Sequence, residues 1–173
     1  STCSTTKRLS ADLAIRTMKA LMENEPMTIE ITICDKADAT VVQALGELMP
    51  QLSQSSSPPT AEEVSRIIDH DAATLLLARE GEKILGSMTL ILFPIPTGLR
   101  AWIEDVVVDE NARGRGIGEL LNRRAIEIAV SEGAKTIDLT SRSSRSAANR
   151  LYQRLGFVAR DTNIYRYEAE AVD

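Results

Sequence analysis

A chain of 173 residues, 43% hydrophobic and 26% charged, has ordinary globular composition and the length of one domain around one core. Its net charge of −5 argues against a nucleic-acid partner, since non-specific binding needs a basic surface to displace counterions, but leaves a small cationic ligand open. No apolar run reaches the ~18 residues of a bilayer span, and no signal-peptide core is visible near the start, so a cytoplasmic protein with no membrane partner is expected.

Residues 1–26 read as an N-terminal appendage: a Ser/Thr-rich start leads into an amphipathic stretch carrying Leu13, Thr17, Met18, Leu21 and Met22 at helical spacing, which Pro26 ends. The main domain is expected over residues 27–173. It opens with an alternating strand from Thr28 to Ile33. Asp35 and Asp38 offer caps for a helix whose Val41, Val42, Leu45 and Leu48 share one face. The segment Ser53 to Pro59 is too polar and Pro-rich to pack, and Thr60 with Glu63 forms a capping box for a short helix through Val64, Ile67 and Ile68.

Three strands follow. Thr74 to Ala78 is apolar, Glu80 to Lys83 is a hairpin turn, Ile84 to Phe93 returns, and Pro94 to Gly98 connects to a strand from Leu99 to Val108. A glycine-rich loop then opens a helix carrying Leu120, Leu121, Ala125, Ile128 and Ala129. Lys135 to Leu139 is a buried strand, Ser146 to Leu155 a helix, and Phe157 onward a terminal strand ending near Tyr167. The order β-α-α-β-β-β-α-β-α-β is a mixed α/β sheet, with antiparallel hairpins first and a parallel crossover later.

Three glycines within five residues, Gly114, Gly116 and Gly118, let backbone amides converge on an anion at a helix start, where the helix dipole adds about half a positive charge. Arg113 and Arg115 add guanidinium groups able to pair with phosphate oxygens. A dinucleotide fingerprint fails, because Glu119 or Leu121 falls where its last small residue belongs, and no Gly-Lys-Ser/Thr triplet exists for a P-loop. The strand Val106-Val107-Val108, four residues, then Arg113-Gly114-Arg115-Gly116-Ile117-Gly118 resembles the signature of the GNAT acetyltransferases, with Arg113, Gly116 and Gly118 at its defining positions. Asn149-Arg150-Leu151-Tyr152-Gln153-Arg154-Leu155-Gly156-Phe157 resembles a second block of the same superfamily. The likeness covers residues 28–168 and implies a GNAT fold: an α/β architecture whose mixed, mostly antiparallel sheet has a central splay and flanking helices.

What the resemblance implies is an N-acetyltransferase that moves an acetyl group from acetyl-CoA to a primary amine by direct transfer in a ternary complex, with acetyl-CoA as co-substrate. Val106 and Val108 would pair with pantetheine, Val107 would face the thioester carbonyl, and Asn149 would hold the pantetheine arm. Tyr152 would be the general acid, being protonated at neutral pH with an ordinary pKa near ~10. Glu104, in an otherwise apolar strand, is the candidate base, and attraction of a cationic substrate is its other reading. Strand alternation places Glu104 with Val106 on one face and Asp105 with Val107 on the other.

Arg142 and Arg145, in a Ser/Arg-rich loop without interleaved aromatics, are read as capped-loop charges or phosphate contacts. Trp102 either lines the substrate pocket or packs in the core. His70 is expected at the surface, Cys3 and Cys34 as free thiols, and no metal is implied. The acceptor can be a small molecule or a peptide, and a homodimer is compatible with the sequence. The alternative is a non-catalytic acyl-CoA-binding or protein-interaction domain of the same fold.

Overall fold

The computed structural model describes residues 28–53 and 57–169. The expected helix within residues 1–26 lies outside them, as do Cys3 and the middle of the loop after Ser53. Five strands form one sheet in sequence order: β1 Ile29–Ile33, β2 Ala73–Glu80, β3 Lys83–Ile95, β4 Gly98–Val108 and β5 Thr136–Leu139. The first four run antiparallel, and β5 lies parallel to β4.

Four α-helices cover the sheet among the described residues: α1 Ala39–Leu52, α2 Ala61–Ile68, α3 Ile117–Ser131 and α4 Ser146–Arg154. Asp38 caps α1 by accepting from the Val41 amide at 3.0 Å. Thr60 and Glu63 close the expected capping box of α2, with the Glu63 amide donating to Thr60 Oγ1 at 3.2 Å and the Thr60 amide to Glu63 Oε2 at 2.8 Å. The continuous apolar run of β2 is explained by burial on both faces. Leu75 and Leu77 meet Val41, Leu45, Leu48 and Val64 from α1 and α2, together with the buried thiol of Cys34. Leu76 and Ala78 meet Ile117, Leu121, Ala125 and Ala129 from α3.

Two expectations are corrected, the reach of one hairpin and the terminal strand. The β3–β4 hairpin is longer than its prolines suggested: β3 runs through Pro94 to Ile95, pairing Pro94 with Leu99, and the turn is only Pro96-Thr97. At this end the β2 ladder stops at Ala73 opposite Ile91, so the N–H that Pro94 lacks would not have met β2. Helix α1 continues through Pro50 to Leu52, because a proline near a helix end forgoes one backbone bond without stopping the turn. The terminal strand from Phe157 to Tyr167 does not form. Polar Arg160 to Asn163 splits its apolar residues, and without a neighbouring ladder β-propensity is insufficient. Val158, Ile164, Tyr165 and Tyr167 are left 84%, 70%, 88% and 91% exposed, while Phe157 packs on the core.

Candidate active site

The site is built on the end of β4. Parallel pairing with β5 covers only Arg100 to Ile103, so from Glu104 to Val108 the β4 edge that faced β5 is open. On the other side Glu104 lies opposite Thr89 and Val107 opposite Ser87, which leaves two β4 residues, Asp105 and Val106, against Met88 alone. This is a β-bulge, and Asp105 makes it with φ of 51° in the left-handed region. Aspartate is among the few side chains that tolerate that conformation.

The bulge overturns the expected faces of β4. Ala101 and Ile103 point at the α3 core, and beyond the extra residue so do Val106 and Val108, whereas Val107 enters the α1–α2 core. Glu104 therefore shares its face with Trp102 and Val107 and not with Val106. Trp102 Nε1 donates to Glu104 Oε1 at 2.6 Å, which confirms the shared face and fixes an exposed carboxylate beside the splay.

Past β4, Asp109 donates its amide to the Leu85 carbonyl at 2.8 Å and a single 3-10 turn, Glu110–Ala112, leads into the glycine loop. Gly114 and Gly116 adopt φ of +79° and +78°, which L side chains rarely adopt, and a Cβ placed on either meets nothing within 4 Å. Gly116 is the N-cap of α3 and supplies no side-chain cap, so the first-turn amides are left without the usual side-chain acceptor. Ile117 is 1% exposed and pins the turn to the core. Open space beside uncapped amides at a helix start suits an anion such as a diphosphate. Arg113 Nε lies 3.4 Å from the Val108 carbonyl, and Arg115 is ion-paired with Glu80 at the end of β2.

Helix α4 closes the other side. Gly118 lets it approach: a Cβ there would stand 3.3 Å from Leu151 Cδ2 and 3.9 Å from Val108 Cγ2, so β4, α3 and α4 meet at this glycine. Asn149 Nδ2 donates to the Arg142 carbonyl at 3.0 Å, tying the preceding loop to the helix. Tyr152 is half-buried against Phe157, edge to face at 5.9 Å between ring centroids. Burial raises the Tyr152 pKa, with the positive charge of Arg145 pulling the other way. The hydrogen-bond partner of Glu104 is Trp102, and neither Tyr152 nor Asn149 bonds to it.

Three contacts were not read from the sequence. Arg145 Nη2 donates to the Leu52 carbonyl at 2.9 Å, linking the loop before α4 to the last residue of α1. Gln51 Oε1 accepts from the Glu110 amide at 2.8 Å, and Glu80 holds Arg115. All join residues far apart in sequence; only the acidic pair Glu104-Asp105 interrupting an apolar strand hinted at the bulge. A cavity of about 300 Å³ beside α1, lined by Gln43, Glu47, Gln51, Glu82, Lys83 and Asp109, includes none of the candidate catalytic residues. His70 is exposed, as expected. Among the described residues no His, Cys, Asp and Glu cluster could hold a metal, and no helix is long and apolar enough to cross a membrane.

Residues 42–157 match the model of the family described as Acetyltransferase (GNAT) family. The chain is 29% identical over 131 residues to N-alpha-acetyltransferase 30 of Xenopus laevis, covering 75% of this chain and 48% of that one, so it spans about half of that relative's length. It is 31% identical over 135 residues to glucosamine 6-phosphate N-acetyltransferase 1 of Oryza sativa subsp. japonica, covering 69% of this chain and 76% of that one. Among solved structures it resembles a Trypanosoma brucei acetyltransferase with a TM-score of 0.68 and 26% identity, covering 82% of this chain and 100% of that one.

Proposed function

The chain belongs to the acetyltransferase (GNAT) family, and on that premise we propose that it transfers an acetyl group from acetyl-CoA directly to a primary amine, both substrates being bound together. The observation that carries this reading is the pairing of an open β4 edge, from Glu104 to Val108, with an uncapped α3 N-terminus behind two glycines at positive φ. The first suits an extended amide-bearing arm, and the second a diphosphate; acetyl-CoA has both and supplies the acetyl group as an activated thioester.

The amides of Gly114 to Gly118 receive the diphosphate, using partial charges already aimed before binding. The main chain of Val106 to Val108 holds the pantetheine arm along the open edge, and a Val107 amide aimed at the acyl carbonyl would polarise it. Asn149 spends its Nδ2 on the Arg142 carbonyl and keeps Oδ1 as an acceptor for the arm. Tyr152, its pKa raised by burial, stays protonated and donates to the departing sulfur. Glu104 takes the amine's proton from the face it shares with Trp102, so the amine approaches on the α1 side of the sheet.

The relatives named for N-alpha-acetylation and for glucosamine 6-phosphate N-acetylation support the class of acceptor, an amine, and differ on its identity. Calorimetry with acetyl-CoA and CoA at low salt tests the first half of the reading, and an amine panel scored by thiol release tests the second. Absence of any binding heat removes the reading. Binding without turnover on any amine replaces it with a non-catalytic acyl-CoA binder.

A further inference from the structure

A loop that grips an anion with main-chain amides works only if those amides are aimed beforehand, because ordering them on binding would consume the affinity they provide. Here the glycines that shape the loop also deprive it of packing: Arg113 to Gly116 are all exposed, and only the flanking Ala112 and Ile117 are buried. Something else must hold the middle of the loop.

Arg115, between the two left-handed glycines, meets Glu80, 35 residues earlier, through both terminal nitrogens: Nη1 lies 3.4 Å from Oε2, and Nη2 sits closer still on Oε1. Glu80 is the last residue of β2, paired across the sheet with Ile29 on one side and Lys83 on the other. Its side chain keeps only 16% of its exposure, against 41% for Arg115, so the carboxylate is the fixed end of the pair and the guanidinium the held one. The sheet brings them together, because pairing of Gly86 with Val108 sets the β2–β3 hairpin beside the end of β4, from which the loop departs. The contact with Arg115 also holds the Glu80 carboxyl below the usual carboxylate range.

We propose that Glu80 is a positioning residue for the coenzyme loop: it clamps Arg115, anchors the glycine turn to the rigid end of the β2–β3 hairpin, and leaves the anion to the main-chain amides. This rests on the acetyl-CoA reading above and adds a residue outside both sequence blocks that suggested it. The competing arrangement has Arg115 as the phosphate's own partner, with Glu80 merely occupying it until the coenzyme arrives. The two differ in sign. Removing the Glu80 charge loosens the loop and weakens binding in the first case, and frees a cation and strengthens binding in the second.

The test is Glu80→Gln in the full chain, with calorimetry against CoA and steady-state kinetics. The expected result is a Kd for CoA raised about threefold to tenfold, as for a bidentate, partly exposed pair, and an acetyl-CoA KM raised in step. The amine KM and kcat at saturation should move less than twofold, a split that general loss of fold would not produce. Arg115→Gln should weaken CoA to the same degree, and the double variant no further than the worse single one, because both remove one interaction. A Glu80→Gln protein that binds CoA as well as or better than the unaltered chain overturns the proposal. So does an Arg115→Gln loss far exceeding that of Glu80→Gln, which also decides the matter should the Glu80 variant fold poorly. If the unaltered chain binds no CoA, the acetyl-CoA reading fails and this inference with it; the other outcomes strike this inference alone.

Discussion

Replacing Gly116 by alanine and, separately, Gly133 by alanine distinguishes a glycine kept for its backbone from one kept for a ligand. The two stand at opposite ends of α3 with φ of +78° and +83°, and at neither would a Cβ meet any atom within 4 Å. The folded chain therefore pays the same for both: about 1–2 kcal/mol for holding an L-residue left-handed, or roughly 2–8 °C of Tm for a chain of this size. Coenzyme binding should separate them. On the proposed placement, the open space at Gly116 lies where the diphosphate approaches the first amides of α3, and a methyl group there would lengthen charge-assisted hydrogen bonds worth about 1.5–3 kcal/mol. Kd for CoA should rise about tenfold to hundredfold for Gly116→Ala and less than twofold for Gly133→Ala, by calorimetry on proteins matched for folded fraction. Equal effects on Kd, or undiminished affinity in Gly116→Ala, would refute the placement of the diphosphate.

Tyr152→Phe should lower kcat by about a hundredfold or more, in line with loss of a positioned acid, with CoA affinity held within twofold. In the unaltered chain the phenol must be protonated to donate, and burial raises its pKa. The fall of kcat with rising pH should accordingly lie above the ordinary phenol value of about 10, and a limb below that value would remove Tyr152 from the role. Glu104→Gln should cut kcat/KM for the amine by about tenfold to hundredfold with little change in acetyl-CoA KM; a raised amine KM at constant kcat would instead identify simple charge attraction. Gly86→Ala puts a Cβ 2.8 Å from the Val107 carbonyl oxygen, a backbone atom that cannot swing aside. It should cost about 1–3 kcal/mol of stability, read by denaturant melts, and raise the acetyl-CoA KM because the displaced atom belongs to the open strand.

The glycine turn and the elements around it were legible because their requirements are written in residue types. A backbone at φ near +78° calls for glycine, a strand buried on both faces calls for an unbroken apolar run, and Thr60 with Glu63 announces a helix start whatever surrounds it. The terminal strand misled for the complementary reason: Val158, Ile164, Tyr165 and Tyr167 have strand propensity, but propensity needs a paired neighbour to be realised.

The strand beyond Glu104 depends on one extra residue. Up to Glu104 the parity of β4 follows the sequence, and a reader counting by twos puts Val106 on the face of Glu104; the bulge at Asp105 shifts the count, so Val107 and not Val106 stands with Trp102 and Glu104 over the α1 side. Nothing local demands this, since aspartate tolerates the left-handed region without requiring it. What holds it is non-local: β3 keeps pairing on both sides of Met88, while β5 stops at Leu139 and releases the other edge. The bulge thus turns Val106 and Val108 to the α3 side, while Glu104, which precedes it, keeps ordinary alternation with Trp102 and stays on the α1 side. Asp105→Val, a β-branched residue that resists the left-handed region, should therefore displace Val106 to Val108 and raise the acetyl-CoA KM while the Trp102–Glu104 pair stays in place and the amine KM moves little; an amine KM raised as much as that of acetyl-CoA would refute this division.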